Sequence, residues 1–375
     1  MTSAQTHSRV AFLDLARLIA TLMMVQGHTT DALLGAVHRS GLGFEIWGVI
    51  RGMTSPTFLF VSGCVFGLVT VRQLGQVHVR EAALRRLRRF GFFLLLGYAL
   101  HFPKANLPEL LTMNQGEWRV FVAIDTLQCI AVSLGLLQVV ALLVHSRRAF
   151  VSVAVGLAIG FWALAPAVWW YAGGLGLPEP LVAYLSPAVS SLFPLFPWVS
   201  YVALGAAVGA MSGSTVEPAR PLRQLAPLGV LLVVCGVGVR ALGLESEAVI
   251  ALSAARPSQV LLQIGAVCLL LSALVLVSAT IRRGRLAAVA SVAQESLLIY
   301  VVHLCVVYGS PWNDGLRHAF GATLSPLAVA SIVVVMWVSM GGLAVLWVRW
   351  KRVRPHEARV ARNVTLGLLL LLLLV

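Results

Sequence analysis

Long apolar stretches, separated by short polar connections, follow one another along the whole chain. Several contain about 20 residues or more, and a helix of that length crosses a hydrocarbon core about 30 Å thick. The pattern predicts an all-α, polytopic bundle of about ten transmembrane helices. The predicted spans are 10–34, 46–71, 90–102, 120–144, 150–171, 193–211, 225–243, 258–281, 286–308 and 325–348.

Two segments depart from this pattern. Span 90–102 is short, and the basic stretch 80–89 before it is expected to lie at the membrane interface and to lead into it. The leucine-rich tail 365–375 is an alternative eleventh span. Because no stretch is left over for a soluble domain, the sequence predicts one membrane domain over 1–375, with a basic cytoplasmic segment and a short apolar tail over 349–375.

Composition excludes a water-soluble globular protein. The 375 residues are 59% hydrophobic and 11% charged, and the mean hydropathy is +0.90, whereas soluble domains carry about 25% charged residues. The net charge of +14 is typical of nucleic-acid-binding proteins. However, most of the 28 Lys and Arg residues lie in every second connection between spans. That placement follows the positive-inside rule and predicts a cytoplasmic N-terminus without a nucleic-acid partner.

Glycines and cysteines are expected to serve packing. Three glycine pairs have the spacing that lets membrane helices approach closely: Gly63 with Gly67, Gly156 with Gly160, and Gly205 with Gly209. The five cysteines lie singly within apolar spans, so neither a disulfide framework nor a metal site is predicted.

A polar stripe runs along the first predicted helix. At about 100° per residue, Asp14, Arg17, Thr21 and His28 fall within about 60° of one another, so the stripe is expected to face the bundle interior. Asp14 and Arg17 are placed to pair near the cytoplasmic end. His28 lies about 27 Å along the helix from Val10, near the opposite surface.

More polar residues are expected at the depth of His28, where burying an ionisable group costs at least about 2.5 kcal/mol. They come from three other spans: His101, Asp125, Gln128, Ser296 and His303. A lone buried histidine is usually a hydrogen-bonded structural residue, but several at one depth favour a functional pocket. Histidine suits a general base near neutral pH, and Asp125 or Glu295 is placed to orient one or to line the route to it.

The first two spans carry a motif. The segment RVAFLDLARLIATLMMVQGHTTDALL, residues 9–34, contains Leu-Asp-x-x-Arg at 13–17 followed by His28, and SPTFLFVSG follows at 55–63. Both segments resemble the membrane-bound acyltransferase superfamily of the acyltransferase-three type. DTLQCIAVSL from Asp125 and SLLIYVVH ending at His303 look more like bacterial relatives of heparan-α-glucosaminide N-acetyltransferase.

The resemblance implies a reaction and assigns roles. An acyl group, usually acetyl, passes from cytoplasmic acyl-CoA to an acceptor on the other side of the membrane, typically the hydroxyl or amine of a glycan or lipid-linked sugar. His28 becomes the expected base, and His38 is a second candidate because the active histidine of the glucosaminide branch follows the first span. Asp14, Arg17 and Ser62 would support the donor channel. Acetyl-CoA is expected as a co-substrate, with no permanently bound cofactor and no metal.

A transporter or flippase is the alternative function. Such a protein would use the same buried histidines and carboxylates for coupled substrate movement. The lack of inverted repeats and the acyltransferase-like order of the motifs count against it. The sequence leaves open which histidine is the base, which acceptor is used, whether an acyl-histidine forms, and what the oligomeric state is.

Overall fold

The chain folds almost entirely into helices. A computed structural model describes residues 11–74, 79–104, 106–212, 225–281 and 283–374, and 84% of it is helical. The helices are α1 (Ala11–Leu33), α2 (Leu42–Gly52), α3 (Thr54–Thr70), α4 (Val79–Leu100), α5 (Gln115–Val122), α6 (Thr126–Leu143), α7 (Arg147–Tyr171), α8 (Glu179–Leu185), α9 (Leu195–Ser212), α10 (Leu225–Ala241), α11 (Glu247–Ala251), α12 (Pro257–Thr280), α13 (Arg283–Gln294), α14 (Ser296–Tyr308), α15 (Leu316–Phe320), α16 (Pro326–Val353) and α17 (Pro355–Leu374).

Short 3₁₀ turns and one small sheet complete the described secondary structure. The turns are Ala36–His38, Val71–Gln73, Pro108–Thr112, Ala172–Gly174, Pro187–Val189 and Ser253–Ala255. Strands β1 (Gly309–Ser310) and β2 (Asn313–Asp314) pair antiparallel after α14. The prediction of an all-α architecture is therefore confirmed apart from this hairpin, whose strands have two residues each.

Six segments of the described chain are long and apolar enough to cross a membrane. They are Leu42–Gln73, Thr126–Leu143, Arg147–Gly174, Leu195–Ser212, Pro257–Thr280 and Pro326–Val353. They correspond to six of the predicted spans, so the membrane class is confirmed. The predicted count of ten is not, because the polar stripe lowers the hydropathy of α1, α4 begins with the basic stretch, and α10 and α14 are shorter apolar helices. The tail continues as α17 and is not one of the six.

Several predicted continuous spans contain a break. Span 46–71 divides into α2 and α3 at Met53, span 120–144 into α5 and α6, and span 286–308 into α13 and α14 at Glu295. Within α9, Phe196 has non-helical backbone angles just before Pro197, as expected for a residue that precedes proline. Hydropathy averaged over a long window does not show such breaks, because it reports composition and not the course of the backbone.

The break between α2 and α3 follows from Pro56. A proline has no backbone N–H to bond the carbonyl four residues earlier, which here belongs to Gly52. The freed Gly52 carbonyl instead accepts a hydrogen bond from Nε2 of Gln263 in α12 at 3.2 Å. The bend is thus tied to a neighbouring helix by this hydrogen bond.

Helices α3 and α9 pack backbone against backbone through glycines. A Cβ atom added to Gly63 would lie 2.0 Å from the Val202 carbonyl oxygen, and one added to Gly205 would lie 2.1 Å from the Phe60 carbonyl oxygen. Gly67 and Gly209 are equally close to the partner helix. The predicted close packing is confirmed for these two pairs. Gly156 and Gly160 in α7, by contrast, have no such neighbour within 4 Å.

The apolar core has two parts. One is built around α3, α6, α9 and α12 and contains Phe60, Ile130, Trp198 and Leu271. The other joins the second half of α1 to α14 and α16 and contains Met24, Leu127 and Val333. Members of both parts line the cavity described below. The cavity therefore lies where the two parts of the core meet.

Glu245, in the loop after α10, caps the N-terminus of α12. Its carboxylate accepts the backbone N–H of Ser258 at 2.8 Å and the Ser258 hydroxyl at 2.8 Å, and it pairs with Arg256. Burial opposes ionisation, but these interactions outweigh it and lower the pKa of the Glu245 carboxyl below its ordinary value. The negative charge also faces the positive end of the helix dipole.

Glu245→Gln is expected to lower the free energy of unfolding by about 1–3 kcal/mol, because a charged hydrogen-bond acceptor becomes neutral. A lowered folded-state pKa stabilises the fold above the unfolded pKa of about 4.3, and this stabilisation is lost as the pH falls through the folded-state pKa. In detergent, the thermal unfolding temperatures of wild type and Glu245→Gln should therefore differ at neutral pH and become equal in acid. Glu247→Gln, at an exposed position in α11, is the control and should unfold at the same temperature as wild type. If Glu245→Gln unfolds at the same temperature as Glu247→Gln at neutral pH, the Glu245 carboxylate does not stabilise the fold.

Candidate active site

A cavity of about 460 Å³ opens inside the bundle, which is within the range of about 300–1,000 Å³ common for ligand sites. Helix α1 forms one wall, with Arg17, Met24 and His28 among its contributions. Arg17 and His28 are separated by about 16 Å along the helix axis. The cavity thus extends along the polar stripe of α1, which faces the interior as the sequence predicts.

The two ends of the cavity differ in chemistry. Around Arg17, the lining includes Arg89 of α4 and Ser62 of α3, and we call this the basic end. Asp14 lies 4.0 Å from the Arg17 guanidinium. The other end, which we call the histidine end, has a lining of His28, Arg51, Asp125 and Tyr300. One cavity therefore joins a cationic region to a region of acid–base groups.

His28 is held by Tyr308 of α14. Its Nδ1 atom lies 3.2 Å from the Tyr308 hydroxyl oxygen, and that hydroxyl lies 3.4 Å from the His28 carbonyl oxygen. Tyr308 has one proton, so both contacts are hydrogen bonds only when the hydroxyl donates to the carbonyl and His28 Nδ1–H donates to the hydroxyl. In this tautomer the Nε2 atom of His28 has the free lone pair that a general base needs.

His303 lies beside His28 and is fully buried, with 0% of its surface exposed. The ring centroids of the two histidines are 5.3 Å apart. His303 Nδ1 donates to the Ile299 carbonyl at 2.8 Å. Among the residues that the structure describes, His303 Nε2 has no hydrogen-bond partner. A second imidazole with an available lone pair therefore stands next to the first.

Asp125 connects three helices at the histidine end. It begins α6 as its N-cap, where Oδ1 accepts the Thr126 backbone N–H at 2.7 Å. Its Oδ2 accepts the Tyr300 hydroxyl at 3.0 Å and lies 3.8 Å from His101 Nε2. Gln128 completes the capping box by accepting the Asp125 backbone N–H at 3.3 Å. The carboxylate is thus fixed in position with its negative charge close to the histidines.

Six of the predicted site residues are not part of the cavity lining, namely His38, Glu295, Asp14, His101, Gln128 and His303. His38 is exposed in the 3₁₀ turn Ala36–His38. Glu295 stands at the break between α13 and α14 and pairs with Lys351 of α16, whereas its neighbour Ser296 lines the cavity. His101 and Gln128 contact Asp125, which lines the cavity. Asp14 pairs with Arg17, which also lines it.

The sequence interpretation missed Arg51, Asp31, Tyr300 and Tyr308. Arg51 lines the histidine end and pairs with Asp31, one turn beyond His28 on α1. Tyr300 precedes His303 by three residues on one helix face, a spacing that could have signalled it. No comparable signal exists for the contact between Tyr308 and His28, because it joins helices far apart in sequence.

Among the described residues, no group of three His, Cys, Asp or Glu side chains lies close enough together to hold a metal ion. The polar groups that line the cavity are imidazole, phenol, carboxylate and guanidinium groups. Such an arrangement can bind an anionic molecule and move protons.

Fold and site together define a polytopic membrane protein with an acid–base site inside its helix bundle. The family model of heparan-alpha-glucosaminide N-acetyltransferase, catalytic, matches residues 9–244, more than half of the chain. The chain belongs to this family. Membership indicates a membrane acetyltransferase that acts on sugars, and it gives no support to the transporter alternative. No curated protein and no solved structure matches the chain.

Proposed function

We propose that this protein transfers an acetyl group from acetyl-CoA to a hydroxyl or amine of a sugar within the cavity. One observation carries the proposal: a single cavity joins Arg17 and Arg89 at the basic end to His28 at the histidine end. The phosphates of the donor require cationic groups, and the acceptor requires a base. Family membership supports acetyl as the transferred group.

The basic end is the proposed entrance of the donor. Guanidinium groups bind phosphate oxygens through paired hydrogen bonds and stay charged when partly buried. Arg17 and Arg89 supply two such groups, and Ser62 adds a hydroxyl to the same wall. An acyl-pantetheine arm lying along α1 would then bring the thioester towards His28. The arginine placement in the sequence favours a cytoplasmic position for this entrance.

The histidine end is the proposed place of reaction. Nε2 of His28 removes a proton from the acceptor as its oxygen or nitrogen attacks the thioester carbonyl carbon. The carbon–sulfur bond then breaks, and the imidazolium returns the proton to the departing thiolate. The nearby negative charge of Asp125 favours the imidazolium, and the Tyr308 hydroxyl holds the His28 ring.

The placement of the two cavity ends also bears on the orientation of the protein in the membrane and on the acceptor that it uses. With the N-terminus in the cytoplasm, the histidine end opens towards the opposite surface of a plasma or inner membrane, and the acceptor would be a glycan or lipid-linked sugar approaching from there. The protein binds acetyl-CoA only as a co-substrate in this scheme. Each turnover yields one acetylated sugar and one free thiol.

The test is a transfer assay with purified protein and radiolabelled acetyl-CoA. Two acceptors separate the chemistries: a glycan with a free amine and a matched glycan with hydroxyls alone. We expect label in at least one glycan in proportion to the protein added. Label that stays on the protein after denaturation would indicate an acyl-histidine step. Proton flux in vesicles without transfer to either glycan would contradict the proposal and favour a transporter.

A further inference from the structure

Arg86 of α4 is held by hydrogen bonds to three side chains. Its Nη1 atom donates to the Thr70 hydroxyl at 3.0 Å and to Oε1 of Gln138 at 3.1 Å. Its Nη2 atom donates to Oε1 of Gln73. Thr70 ends α3, Gln73 ends the 3₁₀ turn that follows it, and Gln138 lies in α6. We call these four residues the arginine junction, and it ties α4 to both α3 and α6.

The arginine junction lies against the apolar core. Thr70 and Gln138 are 2% and 1% exposed. The guanidinium carbon of Arg86 lies 5.6 Å from the centroid of the Phe66 ring, which is itself buried. The neighbouring Arg85, by contrast, is exposed. A basic residue that only sets the orientation of a membrane protein needs no buried partners. The contacts of Arg86 therefore point to a further role.

The positive charge of the junction is not neutralised by a carboxylate. Arg86 donates to one hydroxyl and two amide oxygens, which are all neutral. Within the described ranges, no Asp or Glu forms an ion pair with Arg86 or Arg89. Arg17, by comparison, has Asp14 at 4.0 Å. Cations without a counterion attract anions, so the charges on α4 favour an anionic ligand at the basic end.

Arg86 lies one helical turn before Arg89, which lines the basic end of the cavity. The two residues are about 60° apart around α4 and about 4.5 Å apart along it, so they share one face. The hydrogen bonds of Arg86 to neighbouring elements fix the rotation of α4 about its axis. That rotation determines the direction in which Arg89 points. The junction therefore holds Arg89 towards the cavity.

The contact of Arg89 with the cavity wall is weak. Its guanidinium carbon lies 5.3 Å from the centroid of the Phe93 ring, and Phe93 also lines the cavity. Arg89 is exposed, and a cation–π contact at an exposed site contributes little. A long side chain that must be ordered on binding loses affinity, whereas one that is held beforehand loses less. The position of α4 thus decides how well Arg89 can meet a ligand.

We propose that Arg86 is a positioning residue that holds Arg89 in place to bind a phosphate group of the donor. This inference rests on the proposed function, in which the donor is acetyl-CoA. Arg86 does not belong to the cavity lining, and three of its five N–H groups are bonded within the junction. It therefore acts through Arg89. The step affected is donor binding, because the proposed base, His28, lies at the other end of the cavity.

Arg86→Gln tests the proposal with two donors. Acetyl-CoA carries phosphates, whereas S-acetylpantetheine has the same thioester and arm without them. We expect the KM for acetyl-CoA to rise about 5- to 50-fold with kcat within about twofold of wild type, because a charged hydrogen bond is weakened. For S-acetylpantetheine, kcat/KM should stay within about twofold of wild type. Arg85→Gln is the matched control, since it removes the same charge from an exposed position paired with Glu81.

A double-mutant cycle separates positioning from an independent contribution. The dissociation constant of CoA is measured for Arg86→Gln, Arg89→Gln and the double variant, as full-length proteins in nanodiscs. If Arg86 acts through Arg89, its replacement should weaken binding by less than about twofold once Arg89 is gone. Losses that multiply in the double variant would overturn the proposal.

Arg86→Lys separates the geometry of the junction from its charge. Lysine keeps the charge but lacks the planar group that reaches three acceptors. Most of the loss in CoA binding should therefore remain in this variant. Wild-type CoA binding in Arg86→Lys would overturn the proposal, because the charge alone would then suffice.

The outcomes distinguish this inference from the proposed function. If wild type transfers acetyl and Arg86→Gln has a wild-type KM, only the positioning role fails. Equal losses with acetyl-CoA and S-acetylpantetheine would also overturn that role, by showing a general displacement of α4. If wild type neither binds nor uses acetyl-CoA, the proposed function fails and the inference fails with it.

Thermal unfolding identifies a variant that does not fold. If Arg86→Gln does not fold, the comparison of Thr70→Val with Thr70→Ser decides. Valine removes one acceptor of the junction, and serine keeps it. The KM for acetyl-CoA should rise in Thr70→Val alone, and equal KM values in the two variants would overturn the proposal.

Discussion

Replacing His28 by alanine is expected to lower the rate of acetyl transfer by about 10²- to 10⁴-fold, because it removes the proposed general base. His28 lines the cavity, and its contact with Tyr308 leaves Nε2 free to accept a proton. The transfer assay with radiolabelled acetyl-CoA measures the change. Tyr308→Phe should produce a smaller loss, since it removes the group that fixes the tautomer but leaves the imidazole in place.

His38→Ala is the matched comparison for His28→Ala. His38 is exposed in the turn after α1, so its removal should leave transfer close to the wild-type rate. CoA binding should survive both substitutions because neither residue belongs to the basic end. Retained transfer in His28→Ala together with loss in His38→Ala would reverse the assignment. Loss of CoA binding in His28→Ala would show that the residue supports donor binding rather than proton transfer.

Gly67→Ala is expected to cause the second large effect, a loss of about 3 kcal/mol in the free energy of unfolding, which is the upper end of the usual cost of overpacking. The new Cβ would lie 1.9 Å from the Ala206 carbonyl oxygen of α9. That oxygen belongs to the helix backbone, so α3 and α9 would have to separate along their whole contact. Both helices contribute to the cavity wall, and activity should fall with stability.

Gly156→Ala provides the control for this prediction. The position is helical and has no neighbouring atom within 4 Å of an added Cβ. Alanine favours helix by about 1 kcal/mol over glycine, so this variant should be as stable as wild type or more stable. Thermal unfolding in detergent compares the two proteins. Equal unfolding temperatures for Gly67→Ala and Gly156→Ala would contradict the packing found between α3 and α9.

Much of the fold follows from local patterns in the sequence. Apolar stretches predict the helices, and the spacing of Gly63, Gly67, Gly205 and Gly209 predicts the close packing of α3 and α9. The same spacing at Gly156 and Gly160 has no packing partner, because the motif says nothing about which helix is adjacent. Hydropathy also fails to predict the breaks within the spans, although Pro56 marks the position of one.

The sequence predicts only part of the candidate site, for a related reason. Helical periodicity places Arg17 and His28 on one face of α1, and both line the cavity. Periodicity does not give the partner of a side chain on another helix. The contact of His28 with Tyr308 and the pairing of Glu295 with Lys351 therefore emerge only from the tertiary structure.

We propose that the cavity between the basic end and the histidine end holds the acetyl donor. Ser62 lines this cavity, whereas Ser331 is exposed on α16. Ser62→Phe would insert a bulky side chain into the proposed path of the pantetheine arm, and Ser331→Phe adds the same ring outside it. The decisive measurement is acetyl-CoA binding and acetyl transfer by these two folded variants. We expect binding and transfer to be lost in Ser62→Phe and preserved in Ser331→Phe. Wild-type binding and transfer in Ser62→Phe would contradict a donor site in this cavity.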